Sequence, residues 1–192
     1  LPTAAAAILN PKRLDCDYPF DALAGVGVAF KLILALAIKN GLKTTDVFNQ
    51  YVDIATLGTI ADVVPLLGEN RVIVDKGLKI LHNPKRIGIR AVMEVAGVLD
   101  KPLSASTIAF SIAPRLNAAG RLGSAATAVE LLLTNDESRA RELALLLDTE
   151  NKERQQTERQ IFDEALELIA KDPNFEKKKV IVLAQENWHQ GV

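Results

Sequence analysis

The sequence predicts an α/β chain that is mostly helical: a helical subdomain with a short sheet remnant, one long bridging helix, and the opening strand of a second domain. Three observations predict it. Ala- and Leu-rich stretches with capping residues and glycine or proline stops recur between Asp21 and Leu133. Apolar runs that read as buried strands lie near each end, at Ala4 to Leu9 and Lys179 to Ala184. Asp136 to about Lys171 is the longest helical signal, about 50 Å if unbroken. The expected units are therefore 1–135, 136–172 and 173–192.

Composition narrows the function classes. The 192 residues carry 23 basic and 24 acidic side chains, which excludes a uniformly basic nucleic-acid binder but not a local basic groove. Apolar residues make up 48% of the chain, so it can bury a core, and disorder is not expected. Cys16 stands alone; it reads as a small inert residue and excludes both a disulfide framework and a cysteine-built zinc site. That usage suits a reducing cytoplasm. No apolar run approaches the ~20 residues of a membrane span, and no secretory signal pattern opens the chain. The opening Leu1-Pro2-Thr3 reads as the middle of a fold, and Lys179 to Ala184 as entry into a new domain, so a segment cut from a longer protein is expected.

Taken in order, the apolar run Ala4 to Leu9 ends at Asn10-Pro11, and Lys12 to Phe20 is a loop. Asp21 to Asn40 is a helix with Asp21 as N-cap and Gly41 at its stop. Gly25 and Gly27 in its first turns cost helix stability, about 1 kcal/mol each. They point to close helix packing or to backbone approaching a ligand or metal strand. Thr45 to about Leu57 and Glu69 to Leu81 are helices, the second closed by His82 as a C-terminal cap residue. Ile87 to Val98 is a short helix, and Ser104 to Ile112 another, ended by Pro114.

Two stretches carry chemistry. In Thr56 to Leu66 the one charged residue, Asp62, has aliphatic neighbours on both sides. A carboxylate taken out of water must cap, pair or bind a metal, because an unpartnered buried charge is very costly. The second stretch, Arg115-Leu116-Asn117-Ala118-Ala119-Gly120-Arg121-Leu122-Gly123, reads as a loop feeding the helix capped by Ser124. Arginines, glycines and a helix N-terminus are the parts of a phosphate site. The alternative is an ordinary loop whose arginines are solvated or pair with acids.

The long helix adds a third feature. Leu143, Leu146 and Leu147 give it one apolar stripe, and Ile161, Phe162, Ala165, Leu168 and Ile169 another. Between them, Asp148 to Gln160 has no apolar residue, as in helices that cross solvent between two bodies held by i,i+4 ion pairs. Asp148–Lys152 and Glu150–Arg154 have that spacing. Nucleophilic triads and P-loops are not supported: His82 and His189 are the only histidines, and neither pattern occurs. Asp62, the arginine stretch and the tail Trp188-His189 together suggest metal-assisted phosphoryl chemistry on a nucleic acid.

The run Thr59-Ile60-Ala61-Asp62-Val63-Val64-Pro65-Leu66 resembles the fourth motif of the DHH phosphoesterases. With Ala24-Gly25-Val26-Gly27-Val28-Ala29-Phe30-Lys31, the Arg115–Arg121 stretch, Asn151 to Gln155 and Trp188-His189-Gln190-Gly191-Val192, the likeness runs through nearly the whole chain. It is specific for the family's single-strand-specific 5′→3′ DNA exonucleases, enzymes of DNA repair and recombination. The resemblance implies the C-terminal part of a DHH catalytic domain, the bridging helix, and the start of a DHHA1 domain. It implies a two-metal hydrolase using Mn2+ or Mg2+, with Asp62 as catalytic metal ligand. Arg115, Asn117 and Arg121 would contact DNA phosphates, Arg154 and Gln155 would face the same cleft, and Trp188 and His189 would edge the second domain. The implied partner is single-stranded DNA, with helicases and single-strand-binding protein as further candidates; a monomer away from membranes is expected. Neither the family's first motif with its paired aspartates nor its Asp-His-His motif occurs in these residues, so the 192-residue chain alone is expected to be inactive. A relative acting on short RNA or cyclic dinucleotides, or a non-catalytic binding or scaffolding module, are the competing readings.

Overall fold

In the computed structural model, residues 5, 7–122, 124–173, 175 and 178–189 are described, apart from the side chains of Arg121 and Leu122. The opening Leu1-Pro2-Thr3, Gly123 and the closing Gln190-Gly191-Val192 fall outside that description. The architecture is helix packed on helix: α1 Gly25–Lys39, α2 Thr44–Ala61, α3 Gly68–Leu81 and α4 Ile87–Val95 come first. A composite helix follows, made of the turn α5 Ala105–Thr107, a π-helical segment Ile108–Ile112 and α6 Ala113–Leu122. Then come α7 Ala125–Leu133 and the long α8 Glu137–Ala170.

No strand occurs among the described residues, so the expected α/β class is corrected to all-α for this part of the chain. The described parts of Ala4 to Leu9 and Lys179 to Ala184 lie outside helices without ladder bonds. An apolar run becomes a strand only when a neighbour supplies the other half of its hydrogen bonds, and neither run meets one here.

The caps explain most helix starts and stops. Ser124 Oγ accepts from Ala126 N, as its sequence position led us to expect, and Asp136 Oδ1 accepts from Arg139 N at the start of α8. His82 closes α3 at the expected place. The start of α1 differs: it begins at Gly25 after Ala24, and Asp21 remains in the preceding turn. Gly25 packs against nothing close, and the tightest approach near Gly27 is to Leu23, one turn earlier. The close α1–α2 contact is instead at Gly58, where a Cβ would lie 2.8 Å from Val26 Cγ1.

A second correction concerns Pro114 and the stretch after it. Pro114 does not end the helix, and Arg115 to Leu122 is helical rather than a loop. Proline removes one donor and crowds the preceding turn. Here the wider turn of the π segment, with Ala113 N donating to Ile108 O, precedes it and gives the ring room. The chain therefore continues as helix through a register change.

The core has two parts. The larger joins the ends of α2 and α3 to α4, the π segment, α7 and the first half of α8, through Ile60, Leu81, Ile89, Met93, Ile112, Leu131 and Leu147. The smaller joins α1, α2 and α3 through Leu23, Phe30, Val52 and Ile73; there Phe30 and Phe48 meet at 5.2 Å with rings tilted 57°. Thus α2 and α3 belong to both. The buried positions of α8 run from Ala140 through Leu143, Ala144, Leu147 and Asp148 to Asn151, so the packed region reaches into the polar block. Beyond Asn151 no residue of α8 is fully buried, and Phe162 and Leu166 are exposed.

Candidate metal and nucleic-acid site

Asp62 follows directly on α2. It is the C-cap residue, with φ −80° and ψ −5°, and its N–H donates to Gly58 O. Its side chain is exposed, so the burial expected from its aliphatic neighbours does not occur. The reason is helical geometry. Ile60 and Thr59 still point into the packed interior, whereas Asp62 sits one residue past the last turn and turns to solvent. Its carboxylate forms no hydrogen bond or ion pair with the described residues, so both oxygens are open to a ligand from outside.

The next residue is unusual. Val63 has φ +57°, the only non-glycine residue with positive φ among those described. A β-branched side chain in the left-handed region costs about 1–3 kcal/mol and persists only where surrounding contacts enforce it. Those contacts come from the start of α3. Asn70, fully buried, donates from Nδ2 to Pro65 O at 3.0 Å and to Ala22 O at 2.7 Å. Its Oδ1 is buried without a partner. Gly68, φ +48°, lies against Phe20, where a Cβ would come within 2.8 Å of the ring. Glu69 accepts from Tyr18 Oη at 2.7 Å and pairs with Lys31 Nζ at 3.2 Å. Burial and the Glu69 bond raise the Tyr18 pKa; the Tyr18 bond raises that of Lys31, with Glu69 adding to it. Three successive residues thus pin the start of α3 to the 18–22 segment and α1, and Asn70 also reaches the Asp62–Leu67 loop.

The arginine stretch presents a different picture. Arg115 Nε donates to Asp148 Oδ1 at 2.8 Å, its Nη2 lies 2.8 Å from the same oxygen, and its Nη1 donates to Ser111 O at 2.5 Å. The Asp148 side chain is 9% exposed, and Lys152 reaches its other oxygen at 2.7 Å. Arg115 therefore ties α6 and the π segment to α8. Asn117 is exposed on α6, and Arg121 is helical in backbone with its side chain outside the description. A phosphate cradle at a loop-to-helix junction does not form there, because the residues are themselves helical and their N–H groups serve the helix. The expected Asp148–Lys152 pair is present; Arg154 instead pairs with Glu158 at 2.7 Å. Gln155 lines a shallow hollow of about 370 Å³ with Glu158, Arg159, Phe162 and Asp163. Trp188 Nε1 donates to Glu164 Oε2 at 2.8 Å, which brings the tail back onto α8, and His189 is exposed beside it.

The geometry thus gathers Arg115, Arg154, Gln155 and Trp188 on or against α8, with α6 also packed on α2, whose end carries Asp62. Sequence reasoning missed Asn70, Asp53 and the Tyr18–Lys31–Glu69 cluster. Asp53 is buried and pairs with Arg86 Nε at 2.9 Å. Asn70 bonds to backbone carbonyls, which leave no mark in a sequence.

Among known proteins, the Bacillus subtilis single-stranded-DNA-specific exonuclease RecJ is 41% identical over 97% of the chain, which covers 22% of that protein. The Haemophilus influenzae enzyme of the same name is 44% identical over 98% of the chain and 34% of its own length. Over nearly its whole length the chain is similar to RecJ exonucleases. It spans between 22% and 35% of the length of the curated RecJ proteins it matches. The crystal structure of Thermus thermophilus RecJ with Mn2+ superposes with a TM-score of 0.78 at 39% identity, over 91% of this chain and 25% of that one. An exonuclease RecJ bound to manganese superposes with a TM-score of 0.76 at 38% identity, over 93% and 43%. No family model matches.

A divalent cation fits this site only in part. Asp62 offers an exposed hard oxygen donor of the kind Mn2+ and Mg2+ take. Among the described residues, however, no three His, Cys, Asp or Glu side chains gather to hold a metal. Asp62 by itself offers a single such donor. No described helix is long and apolar enough to cross a membrane.

Proposed function

We propose that this chain is part of a metal-dependent exonuclease that hydrolyses the phosphodiester bonds of single-stranded DNA from the 5′ end. Asp62 supplies one ligand to the Mn2+ or Mg2+ centre, and the remaining ligands come from outside these 192 residues. The reading is supported above all by the free carboxylate of Asp62 held on a strained, clamped loop. The RecJ structures that share this fold hold Mn2+ or Mg2+. Such ions, when bound, neutralise phosphate charge and activate water.

The chain's own residues bind and orient the strand. Asn117 and Arg121 on α6 meet backbone phosphates. Arg154 and Gln155 line the face of α8 that the strand follows, and Trp188 offers a stacking surface with His189 next to it. Arg115 acts through Asp148, holding α6, the helix that carries Asn117 and Arg121, at its angle to α8.

The test is made in the full-length enzyme. Asp62→Ala should abolish Mn2+-dependent degradation of single-stranded DNA while thermal unfolding stays cooperative; retained activity would sink the assignment. A panel of single-stranded DNA, short RNA and cyclic dinucleotides reads the substrate class, with preference for DNA expected. The 192 residues by themselves should show no nuclease activity and weak, salt-sensitive strand binding. Robust Mn2+-dependent digestion by that piece alone overturns the proposal of ligands from outside it.

A further inference from the structure

We infer that Asn70 is a positioning residue for the metal centre: it sets the place of Asp62 through the backbone of the intervening loop. The inference rests on the reading of Asp62 as a metal ligand and goes beyond it, to a residue that touches neither metal nor substrate.

Asn70 is the third residue of α3 and is 0% exposed. A buried amide in a helix normally bonds locally or faces water. This one spends both Nδ2 protons on two separate loops. The bond to Pro65 O fixes the loop three residues after Asp62, and the bond to Ala22 O fixes the segment that leads into α1. The loop between Asp62 and Leu67 is short, its first residue after Asp62 holds φ +57°, and its far end is the helix that carries Asn70. Relaxing Val63 toward an ordinary φ would swing Asp62 and Pro65 in different directions, and the Asn70–Pro65 bond is what resists that. The neighbouring clamps, Gly68 on Phe20 and Glu69 on Tyr18 and Lys31, hold the start of α3 itself but make no contact with the loop's carbonyls. Asn70 is thus the one residue of the three that reaches back into the Asp62 loop.

Residues that orient metal ligands without touching the metal typically change metal affinity by 10–100-fold when removed. The experiment uses the full-length RecJ enzyme containing this segment, with Mn2+ binding measured by titration calorimetry and stability by thermal unfolding in EDTA. Asn70→Ala is expected to weaken Mn2+ binding by about tenfold. Val74→Ala, a buried truncation in the same helix that lowers stability without touching the loop, should leave Mn2+ binding at the parent value. Asn70→Ser, which keeps one donor, covers the case in which the alanine variant fails to fold and should show a smaller loss in the same direction. Parent-like Mn2+ affinity in the Asn70 variants, or an equal loss in Val74→Ala, overturns the inference. Asp62→Asn separates the two levels. If it retains full Mn2+ affinity, the ligand reading fails and this inference with it. If it loses Mn2+ while the Asn70 variants do not, only the positioning role fails.

Discussion

Arg115 and Asp148 form a two-pronged ion pair across the α6–α8 contact, both guanidinium prongs falling on one carboxylate oxygen. Each side chain is largely buried, and the third guanidinium prong holds a carbonyl of the π segment. Removing the arginine leaves a buried carboxylate with only exposed Lys152 to answer it. Arg115→Met should therefore cost about 2–3 kcal/mol by chemical denaturation. The double variant Arg115→Met, Asp148→Leu should cost less than the single one, because no charge is then stranded.

Val63 offers the opposite sign. Its side chain is 87% exposed, so replacing it forfeits little burial. Glycine adopts its φ of +57° without the steric clash. Val63→Gly should raise stability by up to about 1 kcal/mol, the left-handed penalty less the added flexibility of the unfolded chain. Thermal unfolding checks it; a clear loss of stability would show that the backbone there is unstrained.

Gly88 marks the closest approach between α4 and α7. A Cβ at that position would lie 1.7 Å from Leu131 O, a backbone atom that cannot turn aside. Gly88→Ala must push the two helices apart and should cost about 3 kcal/mol or more, read from urea unfolding. A change below 1 kcal/mol would mean that the contact is slack.

Alkaline pH should loosen the attachment of α1 to α3. The folded pKa values of Tyr18 and Lys31 are raised from 10.0 and 10.5, so their contribution is complete below those values and disappears as pH climbs through the folded ones. Stability should therefore fall above about pH 10, as Tyr18 and Lys31 lose their protons. Tyr18→Phe should make that fall shallower in a pH series of thermal unfolding curves.

Much of the helical frame was legible because its punctuation is local. Ser124 and His82 act within one turn of their own positions, and a reader of the sequence sees that turn. Pro114 misled for the same reason: its local rule is to stop a helix, and the π segment that relieves it depends on packing around Ile108 and Ile112. Asp62 was singled out for a reason that did not hold. Its aliphatic neighbours suggested burial, but the helix ends one residue earlier and leaves it in solvent. One alternative for the arginine stretch, an arginine paired with an acid, is what Arg115 does. Its partner lies thirty-three positions away, and nothing in the spacing names Asp148. Asn70 was illegible altogether, since its partners are carbonyls of residues chosen by the fold.

The exposed half of α8 behaves mechanically as a lever. From Asn151, its last buried residue, to Ala170 it extends about 28 Å as a continuous helix. The Arg115–Asp148 pair sits just behind that point and acts as the fulcrum. A tilt of about 5° at the fulcrum carries the far end, with Glu164 and the Trp188 that it holds, through about 2 Å at that rise per residue. Angular error at one ion pair is thus magnified into displacement of the far end of α8 and of the Trp188 side chain held there.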